Sequence, residues 1–450
     1  MRRRHISVLL LLALFASACS SVITTVERDE SVGDSTGEQS ATAPEQDDAS
    51  TTPTTVFEVD GPTTTFVPNL SGPFSTEGGA TFDAATAEGV IVEVDVNSPL
   101  GNVYTTWPTD WDRRTVEDWG EFRAGLQASD PRDGIPPLDS PVFESPARAA
   151  EWLGPRDPGA LVQLEGEARF YPLSILTRHE IVNDVFNDVP VAVTFCPLCN
   201  TAIAFDRRMN DQVLRLGVSG LLRNSDVVMW DDASTSLWQQ VTGEGLVGEF
   251  AGAQLETVPT AIVSFSQFVE SFPEGQSLAG ESGGGRQAYG SNPYSGYSSS
   301  ASPFLFNGDI DDRLEALSRV IGISEGDAVA SYSFARAMAE GAINDDIDGL
   351  PVVVLHAGDT ADALDNPAIS LSQAIGSAVA HSPVVNGETL TFTSNGDGTF
   401  ADDQTGSTWT VLGVATDGEL AGTQLESVQH RNEFWFAWQA FFGPETLREA

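Results

Sequence analysis

One stretch of this 450-residue chain occurs twice, and this internal repeat limits most strongly what the chain can fold into. Residues 232–238 and 248–258 return as residues 403–409 and 418–428. Six upstream positions also match in order: Tyr171, Asn183, Asp184, Pro190, Val191 and Val193 correspond to Tyr332, Asn344, Asp345, Pro351, Val352 and Val354. A repeat of this length predicts two related tandem folding units.

Each unit has the same predicted plan. In the first unit, a strand and turn over residues 160–171 precede a helix over about 173–182. A strand pair, further strands with glycine turns and a short aromatic terminal helix follow. Because alternating apolar residues and Gly-rich turns dominate, we predict an α+β, β-rich fold.

Changes in composition divide the chain into six predicted segments. The stretch before the repeat combines low hydrophobicity with high net charge, which does not offset chain entropy. The segments are a signal peptide with a lipobox (1–19), a disordered Thr-, Ser-, Pro- and acid-rich tether (20–102), an ordered extension (103–144), unit one (145–280), a Gly-, Ser- and Tyr-rich connector (281–305) and unit two (306–445). Within the tether, residues 81–96 have strand character and are expected to dock on the folded part.

The first 19 residues have the pattern of a bacterial export signal. Three arginines precede an apolar run over residues 8–15, and Ala16-Ser17-Ala18-Cys19 follows. Small residues directly before a cysteine resemble a lipobox, in which Cys19 is lipidated; an ordinary cleavage site is the alternative. The apolar run is short for a membrane span. We predict an extracytoplasmic protein that is lipid-anchored to the bacterial cell membrane, with the membrane as a partner through that anchor.

The charge of the chain excludes several functions. The formal net charge is −43, and all 22 basic residues are arginines. Such an acidic chain repels phosphate backbones, which excludes nucleic acid as a partner. The absence of lysine from the sequence excludes Schiff-base chemistry and a P-loop lysine.

Two cysteines mark the candidate site. An apolar β-branched run over residues 189–195 leads into Cys196-Pro197-Leu198-Cys199, and an alternating run over 201–206 follows. This pattern predicts a strand, a tight turn and a second strand. The corresponding positions of unit two hold Ala357 and Thr360, so the repeated fold does not require the thiols. We therefore predict that unit one carries the activity.

A redox function is the first hypothesis for this pair. A Cys196–Cys199 disulfide would close a very short ring that gains little from loop-closure entropy, which favours a reducible pair over a structural staple. In a thiol-dependent oxidoreductase, Cys196 would attack a disulfide or oxidised substrate and Cys199 would resolve the mixed intermediate. His179 or Arg223 would stabilise the thiolate, and the redox partner would be an unknown protein or small molecule.

Two alternatives stay open beside the redox hypothesis. Cys196, Cys199 and His179 would form a metal site for zinc or copper. A non-catalytic surface scaffold with two inert buried cysteines is the other alternative. The sequence requires no cofactor on its own.

Further polar residues flank the predicted strands of unit one. They are candidates for contact with a substrate or ion, while turn hydrogen bonds and buried ion pairs explain them equally well. These residues are Glu180, Asn183, Asp184, Asn224, Asp226 and Glu244. The stretch 289–297 of the connector is predicted to be a plain loop, with a cover over the site as the alternative.

Several uncommon strings occur in an order that resembles the domain of unknown function 3179 family. They are residues 133–136, 171–173, 179–184, 196–199, 217–226, 237–240 and 434–438. The resemblance covers about residues 107–445 and implies kinship of fold, since the family is uncharacterised. Similar members are often exported bacterial proteins or lipoproteins, and some are selenoproteins, which implies redox chemistry. Arg178 departs from the family pattern, in which an aromatic residue is expected before His179.

Overall fold

The computed structural model describes residues 78–85, 87–91, 107–126, 128, 130–283, 289 and 291–449. These residues all fall in one compact unit, Pro62–Ala450. The predicted signal peptide, the lipidation residue Cys19 and most of the predicted tether lie outside the described residues. Within the described part, no helix is both long and apolar enough to cross a membrane.

The described chain is β-rich, with few and short helices. The strands before the connector are β1 (Phe122–Ala124), β2 (Phe143–Glu144), β3 (Pro158–Leu164), β4 (Glu167–Pro172), β5 (Ile181–Phe186), β6 (Val189–Cys196), β7 (Thr201–Asp206), β8 (Arg208–Met209), β9 (Gln212–Val213), β10 (Leu216–Arg223), β11 (Asp226–Asp231), β12 (Leu237–Gln239), β13 (Gly245–Val247), β14 (Thr257–Val258), β15 (Thr260–Ser264) and β16 (Gln276–Leu278). The helices of this half are α1 (Pro146–Ala149), α2 (Leu173–His179) and α3 (Phe265–Ser271).

The second half also consists mainly of short strands with few helices. Its strands are β17 (Arg319–Glu325), β18 (Ala328–Ser333), β19 (Ala342–Ile347), β20 (Leu350–Ala357), β21 (Ser377–His381), β22 (Val384–Val385), β23 (Glu388–Thr389), β24 (Phe392–Ser394), β25 (Phe400–Asp402), β26 (Thr408–Trp409), β27 (Ala415–Asp417) and β28 (His430–Phe434). Its helices are α4 (Phe334–Glu340) and α5 (Trp435–Phe442). Short 3-10 helices lie at Trp119–Glu121, Tyr297–Ser299, Ile369–Leu371 and Pro444–Thr446.

Beside the two-stranded β8–β9 sheet, three larger sheets form the first half. Their strand orders are β15-β3-β4-β16-β2, β14-β7-β6-β5 and β1-β10-β11-β12-β13. Neighbours pair antiparallel, except that β16 runs parallel to β4. The second sheet carries the cysteine turn, and the third carries the turn that ends in Asp226. The candidate site therefore lies where the ends of two sheets meet.

Elements of the second half match those of the first in length. Five consecutive elements of each half have lengths of 7, 6, 7, 6 and 8 residues. In the first half these are β3, β4, α2, β5 and β6, and in the second half they are β17, β18, α4, β19 and β20. Trp238 donates a 2.9 Å hydrogen bond to Asp231, and Trp409 donates one of the same length to Asp402. The tandem repeat and its domain boundaries stay predictions, which these similarities favour.

The end of one helix differs from the expected plan, and the docking of the tether agrees with it. Helix α2 ends at His179 instead of continuing to about 182, because Glu180 takes a left-handed conformation with φ 57°. Part of the predicted tether packs on the first half: Ala80 bridges Met209, and the ring of Phe82 contacts that of Phe250 at 6.2 Å. These contacts agree with the docking expected for the segment that begins at residue 81.

Strand β28 joins the two halves. It pairs with β17 and packs against β7. At its end, the Phe434 N–H donates a 2.9 Å hydrogen bond to the Cys199 carbonyl. Phe434 and Phe436 belong to the same core cluster as Cys196 and Cys199. The second half is thus part of the wall around the cysteine turn.

Two buried histidines of the second half make folding sensitive to acid. His381 Nε2 lies 3.0 Å from the Val411 carbonyl, and His430 Nδ1 lies 2.8 Å from the Val428 carbonyl. Burial lowers the pKa of both imidazoles to about 4, from 6.5. The unfolded chain therefore takes up protons at these histidines before the folded chain does. Their contribution to stability is full above pH 6.5 and is lost as the pH falls toward 4.

We expect the double variant His381→Gln/His430→Asn, which keeps a donor for each carbonyl, to be less sensitive to acid than wild type. Each histidine should contribute about 2 kcal/mol to the loss of unfolding free energy between pH 7.5 and 5. Urea unfolding of both proteins at the two pH values measures the difference, in which the contributions of the carboxyl groups cancel. Equal losses in the two proteins would contradict this expectation.

Candidate functional site

The cysteine turn has the predicted strand–turn–strand form. Cys196 ends β6 and pairs in register with Thr201 at the start of β7. Asn200 takes the left-handed φ of 58° that closes the turn, a conformation that asparagine tolerates better than most residues. Both thiols are free and buried. The turn therefore places two cysteine side chains side by side inside the protein.

Asp226 completes a group of three ligand atoms. The sulfurs of Cys196 and Cys199 and a carboxylate oxygen of Asp226 all lie within 4.8 Å of one another. Asp226 starts β11, after a tight turn in which Asn224 and Ser225 both have positive φ. The β10–β11 turn therefore carries the carboxylate to the thiols from a different sheet.

Only one of the two carboxylate oxygens of Asp226 accepts hydrogen bonds from the described residues. Its Oδ2 accepts hydrogen bonds from Gln239 Nε2 at 2.6 Å and from the Val241 N–H at 3.0 Å. Its Oδ1 is buried without a hydrogen-bond partner among the described residues. Burial raises the pKa of Asp226 to about 6, although the hydrogen bonds from Gln239 and the Val241 N–H and the proximity of both thiols lower it. One carboxylate oxygen is thus fixed and the other is available.

Burial also raises the pKa values of the two thiols. It raises the pKa of Cys196, and it raises that of Cys199 well above its usual range. The charge of Asp226 raises both pKa values further. In the absence of a cation, the two thiols are therefore protonated at neutral pH, which disfavours a reactive thiolate.

Glu180 is a second buried acid of this region. Its left-handed backbone caps helix α2 through a 2.8 Å bond from its N–H to the Leu176 carbonyl. Its carboxylate accepts a 3.0 Å hydrogen bond from the Tyr294 hydroxyl. Burial raises the pKa of Glu180 to about 7, and the charge of Asp226 contributes to the shift.

Glu433, on strand β28, is a third buried acid. It is 0% exposed, and neither of its carboxylate oxygens has a hydrogen-bond partner within the described part. Arg431 Nε lies 3.6 Å from one of them. Burial raises the pKa of Glu433 to about 8, which Arg431 lowers and Asp226 raises. Glu433 and Asp226 both oppose the lowering of the Arg431 pKa by burial, so two buried acids act on this one arginine.

Residues 291–304 of the connector cover the site. Besides Tyr294, they supply Tyr297, whose ring contacts that of Phe434 at 6.0 Å, and the Phe304 carbonyl, which accepts a hydrogen bond from the Ser225 hydroxyl. Residues 358–376 of the second half hold the connector through its backbone; for example, the Gly296 N–H donates to the Asp365 carbonyl at 2.6 Å. Residues 291–297 therefore cover the site, which is the alternative that the sequence left open beside a plain loop.

His179 lies apart from this group. Its Nδ1 is 2.7 Å from the Pro136 carbonyl, and its Nε2 is 3.1 Å from the Tyr289 hydroxyl. Both ring nitrogens are thus engaged. Within the described residues, the group that could hold a metal consists of Cys196, Cys199 and Asp226, and His179 is not part of it.

Arg223 contacts the site through one intermediate residue. It forms a 2.7 Å ion pair with Glu121, and its Nη1 lies 3.3 Å from Gln239 Oε1. Gln239 in turn donates to Asp226. Arg223 therefore contacts the amide that holds Asp226.

Asn183 and Asp184 have structural partners. Asn183 Nδ2 donates to the Leu216 carbonyl at 2.8 Å, and its Oδ1 accepts from the Leu216 N–H at 3.1 Å. Asp184 accepts from Arg169 at 2.7 Å and from the Tyr171 hydroxyl at 2.5 Å. These two residues join strands of the first half and do not belong to the thiol group.

Asn224 and Glu244 are turn residues. Asn224 takes a φ of 49° in the turn that precedes Asp226. The carbonyl of Glu244 accepts a 2.8 Å hydrogen bond from the Gln239 N–H. Asn224 thus shapes the turn that delivers Asp226, and Glu244 closes the turn after β12.

Sequence reasoning missed Glu433 and gave Tyr294 no role of its own. Tyr294 lies in a Ser-, Gly- and Tyr-rich stretch, so aromatic residues in an otherwise polar connector were the available signal. Glu433 lies in a run of five polar residues, 429–433, that shows no alternation. No local pattern separates this run from an exposed segment.

The fold and site define a β-rich protein with a buried group of two cysteines and an aspartate. A family model described as "Protein of unknown function (DUF3179)" matches residues 132–446. This match covers more than half of the chain and includes the cysteine turn, Asp226, Glu180 and Glu433, so the chain belongs to this family. The resemblance predicted from the sequence is confirmed. Neither the curated proteins nor the solved structures contain a match to the chain.

Proposed function

We propose that this protein is an extracytoplasmic, lipid-anchored protein that binds a thiophilic divalent cation, with zinc the best fit. The single observation that carries the cation site is the approach of three ligand atoms, from Cys196, Cys199 and Asp226, to within 4.8 Å of one another. The export pattern of residues 1–19 supports the localisation.

The chemistry of the donors favours zinc over copper. Zinc takes sulfur and carboxylate ligands together, whereas Cu(I) prefers a purely soft set. Two thiolates and Asp226 supply three of the four ligands that zinc usually takes. A zinc site with three protein ligands leaves one position for a water molecule or a substrate.

The electrostatics of the site also support a cation. Asp226 keeps a buried oxygen without a hydrogen-bond partner in the described part, and its neighbours Cys196 and Cys199 are protonated thiols at neutral pH. A bound cation would provide the missing positive charge and release the thiol protons. Zinc affinity should therefore increase with pH.

Reversible dithiol–disulfide exchange is the second candidate function. The two thiols are free, and their sulfurs lie within the same 4.8 Å group. Oxidation would form the Cys196–Cys199 bond and transfer two electrons and two protons to the disulfide of a partner, which becomes two thiols. The raised thiol pKa values and the cover over the site place this candidate second.

A native mass spectrum of the mature protein, purified without chelator or reductant and then exposed to one equivalent of Zn²⁺, tests both candidates. We expect a mass increase of one zinc ion less about two protons. Cys199→Ser should abolish this increase. Thr360→Ser, at the predicted counterpart of Cys199 in the second half, should leave it unchanged.

Other masses would change the conclusion. A mass lower by two hydrogens, restored by mild reductant and unaffected by zinc, would support the dithiol function instead. An unchanged mass with and without zinc would contradict the cation site.

A further inference from the structure

The end of strand β28 docks directly on the cysteine turn. The Phe434 N–H donates to the Cys199 carbonyl at 2.9 Å, and Asn200 Nδ2 donates to the Asn432 carbonyl at 3.4 Å. Glu433 lies between these two contact residues, so the second half brings a carboxyl group to the edge of the thiol group. The charge of Glu433 contributes to the raised pKa of Cys199, although burial is the larger cause.

Glu433 differs from the other buried acids of the region in its contacts. Asp226 and Glu180 each have one oxygen that accepts a hydrogen bond, whereas both oxygens of Glu433 lack one within the described chain. Its ion-pair partner Arg431 is 3.6 Å away, beyond hydrogen-bond distance. A fully buried carboxyl group held this loosely resists ionisation in the protein alone, in line with its pKa of about 8. An additional positive charge in the thiol group would compensate for it.

The fold of the second half does not require the Glu433 side chain. The second half needs β28 for its sheet with β17, but pairing uses the backbone of the strand. The side chains of Arg431 and Glu433 lie on the same face, as alternate residues of a strand do. Arg431 packs over the Phe442 ring at 4.9 Å, which fixes the guanidinium away from ideal geometry with Glu433.

We propose that Glu433 is a specificity-determining residue, which makes the thiol site prefer a divalent over a monovalent thiophilic cation. This inference rests on the proposed cation site. The Coulomb energy between Glu433 and a nearby ion scales with the charge of the ion, so a 2+ ion gains twice as much as a 1+ ion. The effect is strong because the group is buried, where screening by water and salt is weak.

The variant Glu433→Gln, which keeps the shape and removes the charge, tests this role. We expect its Zn²⁺ affinity to fall about 10-fold, as for loss of an outer-shell partner, and its Cu⁺ affinity to fall by about 3-fold or less. Competition with a chromophoric chelator for each ion, with reductant in the Cu⁺ series, measures the Zn²⁺/Cu⁺ ratio on the full mature protein. Glu433→Asp should recover most of the ratio.

Controls separate this role from a structural one. Glu325→Gln, at the end of the neighbouring strand β17, removes a carboxylate that accepts from the Gln429 N–H and should leave the ratio unchanged. Glu433→Gln leaves the buried Arg431 without its ion-pair partner, so urea unfolding of the metal-free variant shows whether it stays folded under the conditions of the competition.

Two results would overturn the inference while leaving the cation site intact. An equal loss for both ions would indicate a general effect on the site, and no loss for either ion would indicate that ordered water satisfies Glu433. If wild type itself bound no Zn²⁺, the proposed function would fail rather than the role of Glu433.

Discussion

Replacement of Asp226 by Asn is expected to weaken zinc binding about 100-fold or more, because a metal ligand is lost. Loss of a residue that only holds a ligand in place typically weakens metal binding by about 10- to 100-fold. The metal-free fold should be as stable as wild type. An Asn oxygen accepts the hydrogen bonds from Gln239 and the Val241 N–H, which Oδ2 accepts in wild type. Its amide nitrogen then takes the place of the oxygen that has no partner.

Weaker zinc binding with unchanged stability is the result expected for a ligand, whereas a structural residue would lose stability. The matched control is Asp397→Asn, because the predicted repeat aligns Asp397 with Asp226. Asp397 is exposed and accepts from Thr399, so its variant should bind zinc as wild type does. Chelator competition gives the affinities, and urea unfolding gives the stability. A destabilised Asp226→Asn protein that still binds zinc tightly would refute the assignment of Asp226 as a ligand.

Replacement of Asp184 by Asn is expected to lower the free energy of unfolding by about 3 kcal/mol, the range for breaking a buried ion pair. Asp184 is 0% exposed and accepts from both Arg169 and Tyr171. Although burial raises its pKa, Arg169 and Tyr171 oppose that shift and stabilise the ionised form. The variant removes this buried negative charge from beside the Arg169 guanidinium. Urea unfolding at pH 7.5 measures the loss.

The second half offers the control for this prediction as well. Asp345 corresponds to Asp184 and likewise accepts from a tyrosine, Tyr332, and an arginine, Arg448. That ion pair is partly exposed, so Asp345→Asn should cost about 0–1 kcal/mol. Both variants should keep the zinc affinity of wild type. Equal losses of stability in the two variants would show that burial does not decide the strength of the pair.

The cysteine turn illustrates what could be predicted. A β-branched run, a Cys-Pro-Leu-Cys turn and an alternating run predict two antiparallel strands, and these are β6 and β7. Such patterns are reliable because side-chain alternation and turn chemistry act over a few residues. The predicted helix before this strand pair was found too, but its end was wrong, since Glu180 adopts a left-handed conformation for which no glycine gives a signal.

The composition of the site could not be predicted in the same way. His179 was grouped with the cysteines because it is close in sequence, whereas Asp226 was only one of several polar candidates. The sheet topology decides between them: β10 and β11 form a separate sheet, and its turn delivers Asp226 to the thiols. His179 instead lies under Tyr289 of the connector.

The sequence by itself determined the strand-rich architecture, the two-cysteine turn and the membership of the family, because these depend on local periodicity and short motifs. Only the tertiary structure decided which carboxyl groups meet the thiols and what covers them. Glu433 and Tyr294 come from strand β28 and the connector, far along the chain from Cys196. Their positions depend on how separate sheets pack, and packing energy is shared among many contacts that no short segment encodes.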